Sequence, residues 1–272
     1  MRRNRENFHQ SRRPPDRKLH YRKNWMMSDL NQHIMSAFDR DLEGIQAQIL
    51  KMGGLVEASI MEAAISLEKR DETLAEKVRR DDRAIDELDD LLNDEAARVI
   101  ALRAPTARDL RVVLAVMRMS ANLERIGDLA KNMAKRTTVL NQMQPIGGTP
   151  AALRRMAREV ELMLKDALDA YIRRDVDLAR DVIGRDRDVD QMYNTLFREF
   201  LTFMLEDPRN ITACMHLHFI AKNIERMGDH VTSVAEQVVF LATGNRPDDM
   251  RVKEDRTSTD ASLSTDLDSG GD

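Results

Sequence analysis

Apolar side chains recur every three or four residues through most of this 272-residue chain, with charged and polar residues between them. This spacing places apolar side chains on one face of an α-helix, because the helix repeats about every 3.6 residues. Alanine, leucine, methionine, glutamate, arginine and lysine, which favour helices, fill these stretches. The pattern predicts an all-α protein with six long helices near residues 36–69, 72–103, 107–139, 151–173, 176–206 and 210–242.

Proline, glycine and aspartate mark the ends of the predicted helices. Asp71 and Asp175 stand where an N-cap would open the second and fifth helices. Pro105 and Pro208 mark the ends of these two helices, because proline cannot continue a helix. A loop at residues 145–150, rich in proline and glycine, joins the two halves of the chain. The other turns are short, so neighbouring helices are expected to run antiparallel in bundles.

The second half of the chain repeats the first. Residues 120–128 (SANLERIGD) align with residues 221–229 (AKNIERMGD) at an offset of 101 residues, with five identities in the last seven positions. Earlier in each half the offset is 104, and the three-residue difference is expected in the second helix or the turn after it. We therefore predict two tandem three-helix bundles, residues 36–143 and 144–244, related by an internal pseudo-two-fold repeat.

Charge distinguishes the two ends of the chain from the helical part. Residues 1–25 carry nine Arg and Lys against two acids, and residues 245–272 carry eight acids against four bases. We expect residues 1–35 and 245–272 to be disordered tails. Residues 26–244 carry a net charge of −7, which argues against direct nucleic-acid binding. The sequence has no apolar run long enough to span a membrane, and its single cysteine, Cys214, fits a reducing cytoplasm.

Each repeat carries two pairs of acidic residues spaced four apart on its second and third helices. Both carboxylates of a pair lie on one helix face, a turn apart. Two such pairs facing each other would repel unless a cation neutralised them, and oxygen ligands favour Mg²⁺, Mn²⁺, Ca²⁺ or iron over a structural zinc. The candidate metal ligands are Asp82, Asp86, Glu124 and Asp128 in the first repeat, and Asp186, Asp190, Glu225 and Asp229 in the second.

An alternative interpretation assigns these acids to ordinary salt bridges. Arg125, Arg226 and neighbouring basic residues are suitable partners, and surface ion pairs contribute little to stability. Gly127 and Gly228, each inside an acidic pair, favour a metal site instead, since glycine costs about 1 kcal/mol in a helix interior. A glycine at this position permits a neighbouring helix to come close.

The sequence contains no recognisable catalytic constellation, so we expect no enzymatic activity. A ferritin-like di-iron site needs Glu-x-x-His on two helices, but a glycine stands three residues after the glutamate of each repeated motif. We expect His216, His218 and His230 to be packed or exposed rather than metal ligands, and Cys214 to be a core residue. Glycine-rich phosphate loops and hydrolase triads are also absent from the sequence.

These repeated motifs resemble those of the PhoU family of phosphate-specific transport accessory proteins. The resemblance covers residues 38–244 and rests on DRAID at 82–86 with ERIGD at 124–128, and DRDVD at 186–190 with ERMGD at 225–229. It implies a cytoplasmic negative regulator of phosphate uptake and of the phosphate-starvation (Pho) response. Such a regulator links the ATPase of the phosphate ABC transporter to the PhoR sensor histidine kinase and meets the membrane only through these partners.

The same resemblance implies a homodimer and a bound cation. The eight acids named above would hold iron or a divalent cation, with Mg, Mn, Fe and Zn all open as identities. The alternative is a helical-bundle adaptor protein that works without metal.

Overall fold

The structure is a computed structural model that describes residues 17–245, with side chains from residue 40 onward. This described part is entirely helical, which confirms the predicted all-α class with six long helices. The helices are α1 (Arg17–Lys69), α2 (Glu72–Arg103), α3 (Ala107–Leu140), α4 (Thr149–Arg173), α5 (Val176–Glu206) and α6 (Ile211–Thr243), with a 3₁₀ turn at Pro208–Asn210. From α2 to α6, the bounds agree with the predicted ones to within two residues.

The first helix begins at Arg17, well before the predicted start at residue 36. Residues 17–35 contain no proline or glycine, so a helix can extend through them without a regular apolar stripe. The prediction relied on apolar periodicity and therefore assigned this stretch to the basic tail. The remainder of the two predicted tails, residues 1–16 and 246–272, lies outside the described residues.

The turn before the second helix has the same geometry in both repeats. Arg70 and Arg174 adopt left-handed φ angles of 56° and 53°. The next residues, Asp71 and Asp175, each accept a side-chain hydrogen bond from the backbone N–H three residues later, at 2.9 and 3.0 Å. The predicted N-caps are therefore confirmed, and each has the geometry that contributes about 1 kcal/mol to helix stability.

The central helices α3 and α6 run antiparallel and pack along each other. Near one end of this pair the Arg111 guanidinium lies over the Phe240 ring at 5.4 Å. Near the other end an Arg136 side-chain nitrogen lies 3.3 Å from His216 Nδ1. Residue numbers rise along α3 as they fall along α6, which is the arrangement that an internal two-fold repeat produces.

The outer helices bury their apolar faces against this central pair. Helix α2 packs on α3, α5 packs on α6, and α4 packs on both α5 and α6. Ile85, Leu92 and Leu123 are among the largest fully buried side chains, and Cys214 is buried in the core as predicted. Residues up to Leu42 form a separate unit, of which only the beginning of α1 is described. Within residues 17–245, no helix has the length and apolar content needed to cross a membrane.

The offset between the two repeats falls from 104 to 101 between the start of the second helix and the start of the third helical segment. The second helices begin 104 residues apart and end 103 residues apart, at Arg103 and Glu206. The 3₁₀ turn Pro208–Asn210 runs directly into α6, so the third helical segment of the second repeat begins 101 residues after Ala107. These bounds agree with the prediction that the change lies in the second helix or the turn after it.

Candidate functional site

The first acidic cluster lies between α2 and α3. Asp82 and Asp86 lie one turn apart on α2, and Glu124 and Asp128 lie one turn apart on α3. The two helices bring these four carboxylates within electrostatic reach of one another. Asp82 is only 3% exposed, whereas the side chain of Asp128 is 29% exposed, so the cluster extends from the core to the surface.

Lys131 joins the two helices of the first cluster. Its Nζ donates hydrogen bonds to Asp82 Oδ2 at 2.5 Å and to Asp128 Oδ1 at 2.6 Å. On the exposed side, Arg125 pairs with Glu124 and Asp128 at 3.4 and 3.5 Å. The first cluster thus contains ion pairs of the kind that the salt-bridge interpretation expects.

Burial and charge shift the titration of the first cluster. Burial raises the pKa values of Asp86 and Glu124, and neighbouring carboxylates raise them further. Burial lowers the pKa of Lys131, but hydrogen bonds to Asp128 and Asp82 outweigh this effect and hold it above its ordinary value. The Lys131 ammonium is therefore charged at neutral pH and offsets part of the carboxylate charge.

The second cluster lies between α5 and α6 and is more deeply buried. Asp186, Asp190 and Glu225 are all buried, and Asp229 lies one turn beyond Glu225. Lys222 Nζ lies 3.0 Å from Glu225 Oε1. The other oxygen, Glu225 Oε2, is buried and has no hydrogen-bond partner. A buried carboxylate oxygen without a partner is energetically costly, so this position favours a proton or a cation.

The environment of Glu225 also changes its titration. Burial raises the pKa of Glu225 to about 7, and the charges of Asp229 and Asp190 act in the same direction, whereas Lys222 lowers it. At neutral pH this carboxyl group is therefore roughly half protonated. A cation that binds there would compete with the proton.

A glycine in each third helix allows the acid-bearing helices to come close. A methyl group at Gly127 would lie 3.0 Å from Ile85 Cδ1 and 3.4 Å from Asp82 Oδ1. A methyl group at Gly228 would lie 3.4 Å from Asp186 Oδ1. Equivalent aspartates thus face equivalent glycines at the same distance, as the sequence indicated, and the first repeat is the more tightly packed.

The two clusters are connected across the central helix pair. Asn122 Oδ1 lies 2.9 Å from the ring nitrogen Nδ1 of His230. Asn122 stands two residues before Glu124, and His230 directly follows Asp229. One polar contact therefore joins the third helix of the first cluster to that of the second.

The donor atoms suit a hard cation, but the geometry differs between the clusters. Among the described residues, no group of three His, Cys, Asp or Glu side chains is arranged to hold a metal ion. In the first cluster, the Lys131 ammonium stands between Asp82 and Asp128. The equivalent residue of the second repeat is Thr232, whose hydroxyl donates to a carbonyl of its own helix at 3.0 Å. Each cluster contains one buried carboxylate oxygen without a hydrogen-bond partner, Asp82 Oδ1 in the first and Glu225 Oε2 in the second.

Sequence reasoning did not single out Lys131 and Lys222. Each lies three residues from a cluster acid on the same helix, and residues three apart share a face. This spacing was the available signal for both lysines. Two of the histidines weighed as metal ligands take other positions. His216 lies beside Arg136, and His218 packs among aromatic rings.

Comparisons with known proteins find the same repeat. The family model described as PhoU domain matches residues 49–137 and 153–238, one copy in each repeat. The phosphate-specific transport system accessory protein PhoU homolog of Rhizobium meliloti (strain 1021) is 44% identical over 231 residues, which cover 84% of this chain and 96% of that protein. The protein of the same name from Zymomonas mobilis subsp. mobilis is 45% identical over 223 residues, 82% of this chain and 94% of that protein.

Solved structures agree with these matches. The crystal structure of PhoU from Pseudomonas aeruginosa aligns with a TM-score of 0.74 at 36% identity, covering 76% of this chain and 100% of that one. The phosphate transport system regulatory protein PhoU from Streptococcus pneumoniae aligns with a TM-score of 0.70 at 28% identity, covering 78% and 99%. The relatives are matched over nearly their whole length, and both helical repeats match the family model, so this chain belongs to the PhoU family.

Proposed function

We propose that this protein is a cytoplasmic, non-enzymatic negative regulator of phosphate uptake and of the phosphate-starvation response. The observation that carries the proposal is a full-length match to proteins named as accessory proteins of the phosphate-specific transport system. The duplicated acidic clusters supply a second argument, because they join the helices of each repeat without forming a recognisable catalytic constellation. The protein acts by contact with partners, and a homodimer is part of this proposal.

The partners in this proposal are the ATPase of the phosphate ABC transporter and a PhoR-type sensor histidine kinase. Binding to both would connect the transport state of the membrane complex to the activity of the kinase. The acidic charge of residues 26–244, −7, favours basic partner surfaces through electrostatic complementarity.

The carboxylate clusters set the relative position of the second and third helices in each repeat. In the second cluster, Asp186, Asp190, Glu225 and Asp229 would hold a divalent or iron cation between α5 and α6. A bound cation supplies positive charge that offsets the mutual repulsion of these carboxylates. Gly228 lets α6 approach Asp186, since a methyl group at this position would lie 3.4 Å from Asp186 Oδ1.

A metal-independent adaptor is the second candidate, and a specific observation favours it. Lys131 and Arg125 already pair with the acids of the first cluster. In this alternative the clusters stabilise the bundle through protein ion pairs alone, and regulation does not depend on metal.

A deletion strain tests the regulatory proposal. Deleting the gene in its own bacterium should cause a phosphate-starvation reporter to stay active in high phosphate, and the full chain supplied in trans should restore repression. E225Q, which removes a buried charge from the second cluster, should restore repression poorly. E199Q is the matched control, because Glu199 is exposed on α5.

Normal repression in the deletion strain would refute the regulatory role. Full repression with E225Q at normal protein abundance would instead favour the metal-independent adaptor. Protein abundance should be measured by immunoblot so that loss of folding is not read as loss of regulation.

A further inference from the structure

A cleft between α1 and the first turns of α4 is separate from both acidic clusters. Its volume is about 460 Å³, which is within the range of pockets that hold small molecules. Six residues line it: Met61 and Glu68 from α1, and Ala151, Arg154, Arg155 and Arg158 from α4. Positions 151, 154, 155 and 158 share one helix face, so α4 turns three arginines toward the cleft together.

Two of these arginines are held in place by carboxylates. Arg154 Nη1 donates to Glu68 Oε2 on α1 at 2.7 Å, and Arg158 Nη1 donates to Glu161 Oε2 on α4 at 2.6 Å. A guanidinium group has five N–H donors, and each of these hydrogen bonds uses one of them. About half of each side chain is exposed, 46% for Arg154 and 54% for Arg158. Both arginines are therefore positioned with donors that can bind an anion.

Arg155 is the third arginine of the cleft. It is exposed, and it has no ion-pair partner in the part of the chain that the structure describes. The first repeat carries Leu50, Lys51 and Gly54 at the positions equivalent to the three arginines, at the offset of 104 residues. The shared three-helix fold therefore does not require this row of arginines.

We propose that this cleft binds a small organic phosphate monoester. The lining residues carry three positive charges and one negative charge, a net of +2, and a phosphate monoester carries about −1.5 to −2 at neutral pH. Guanidinium groups bind phosphate oxygens through paired hydrogen bonds. The half-buried Met61 and Ala151 provide an apolar contact for the organic part of the ligand. This inference does not depend on the metal-binding or partner-binding parts of the proposed function.

Isothermal titration calorimetry of the full-length protein with adenosine monophosphate (AMP) tests this inference. A chelator in the buffer keeps AMP from binding through a metal ion. R155A should weaken AMP binding by at least about tenfold, because it removes a charged hydrogen-bond donor. R155K keeps the charge and loses the planar guanidinium, so it should still bind at least about threefold more weakly than the wild type. R98A is the matched control and should leave the affinity unchanged, because Arg98 is exposed on α2 and does not line the cleft.

Removing the one acid of the cleft should act in the opposite direction. E68Q takes away the negative charge that pairs with Arg154, so AMP should bind at least about threefold more tightly. A purely structural role for the Glu68–Arg154 pair would not produce tighter binding. Because Arg155 is exposed and unpaired, R155A should keep the melting temperature of the wild type, which shows that its loss of binding is not a loss of folding.

Adenosine and inorganic phosphate test the two parts of the ligand separately. Inorganic phosphate should compete with AMP and bind at least about threefold more weakly, and adenosine should not compete. If AMP does not bind to the wild type, or if R155A and R98A bind it equally well, the site is refuted. Binding of adenosine as tight as that of AMP would refute the role of the arginines, and equal affinity for inorganic phosphate and AMP would refute the assignment to a monoester.

Discussion

Replacing the glycine of each acidic motif with alanine tests how closely the helices approach. In G228A the new methyl group would lie 3.4 Å from Asp186 Oδ1 and 3.5 Å from Val189 Cγ1, which are ordinary contact distances. Alanine is favoured over glycine in a helix interior by about 0.8–1.0 kcal/mol. We therefore expect G228A to raise the free energy of unfolding by about 0.5–1 kcal/mol.

The equivalent change in the first repeat should have the opposite sign. In G127A the methyl group would lie 3.0 Å from Ile85 Cδ1 and 3.3 Å from Ile85 Cγ2. Ile85 is only 1% exposed, so its side chain has little space to move. Overpacking a core costs about 1–3 kcal/mol, which exceeds the gain from helix propensity. We expect G127A to be at least about 1 kcal/mol less stable than G228A.

Urea unfolding of the full-length chain in the presence of a chelator, followed by circular dichroism, measures both effects. The I85V background is the control, because valine lacks the Cδ1 atom that the new methyl group would meet. In that background the cost of G127A should shrink by about 1 kcal/mol. Equal stability changes for G127A and G228A would refute the inferred difference in helix separation.

Three further predictions concern titration and helix ends. The pKa of Glu225 is about 7 in the folded chain against an ordinary value of 4.5, so the folded state binds more protons between these values. The free energy of unfolding of the metal-free protein should therefore fall by up to about 3 kcal/mol as the pH rises from about 4.5 to about 7. Urea unfolding at several pH values measures this dependence, and E225Q should remove it. Arg70 Nη2 donates to the carbonyl oxygens of Leu140, Asn141 and Met143, at and just beyond the end of α3, at 2.7–3.1 Å. R70A should therefore cost about 1–2 kcal/mol more than R174A, the same substitution in the equivalent turn of the second repeat. Equal melting temperatures for these two variants would contradict this. D71A should cost about 1 kcal/mol and D71N much less, and equal losses in thermal unfolding would exclude an N-cap role.

Most of the fold could be predicted because helix ends depend on local chemistry. Asp71 and Asp175 mark helix starts through a hydrogen bond within one turn, so no distant residue is needed to place them. The beginning of α1 at Arg17 could not be found in this way, because residues 17–35 lack the apolar stripe that signals a packed helix. A helix that continues without such a stripe leaves no periodic signal in the sequence.

The candidate site was predictable in its acids and not in its cations. Repetition marked the eight carboxylates, since equivalent positions in two copies of a fold share their surroundings. Spacing alone could not decide whether Lys131 reaches across to Asp82, because that contact depends on the separation of α2 and α3 and on the lysine rotamer. The difference in burial between Glu124 and Glu225 is likewise a property of packing, which the matched sequences do not reveal.

The antiparallel contact of α3 with α6 has a consequence for the history of the molecule. Equivalent helices that meet head to tail form the same self-complementary surface that a symmetric dimer uses. A three-helix unit expressed alone would expose the α3 surface that α6 covers, and a second copy of itself is the natural occupant of that surface. Joining two copies in one polypeptide gives them an effective concentration of roughly millimolar and makes their pairing permanent. Once fused, each copy could change separately, and the two repeats now differ at equivalent positions such as Lys131 and Thr232.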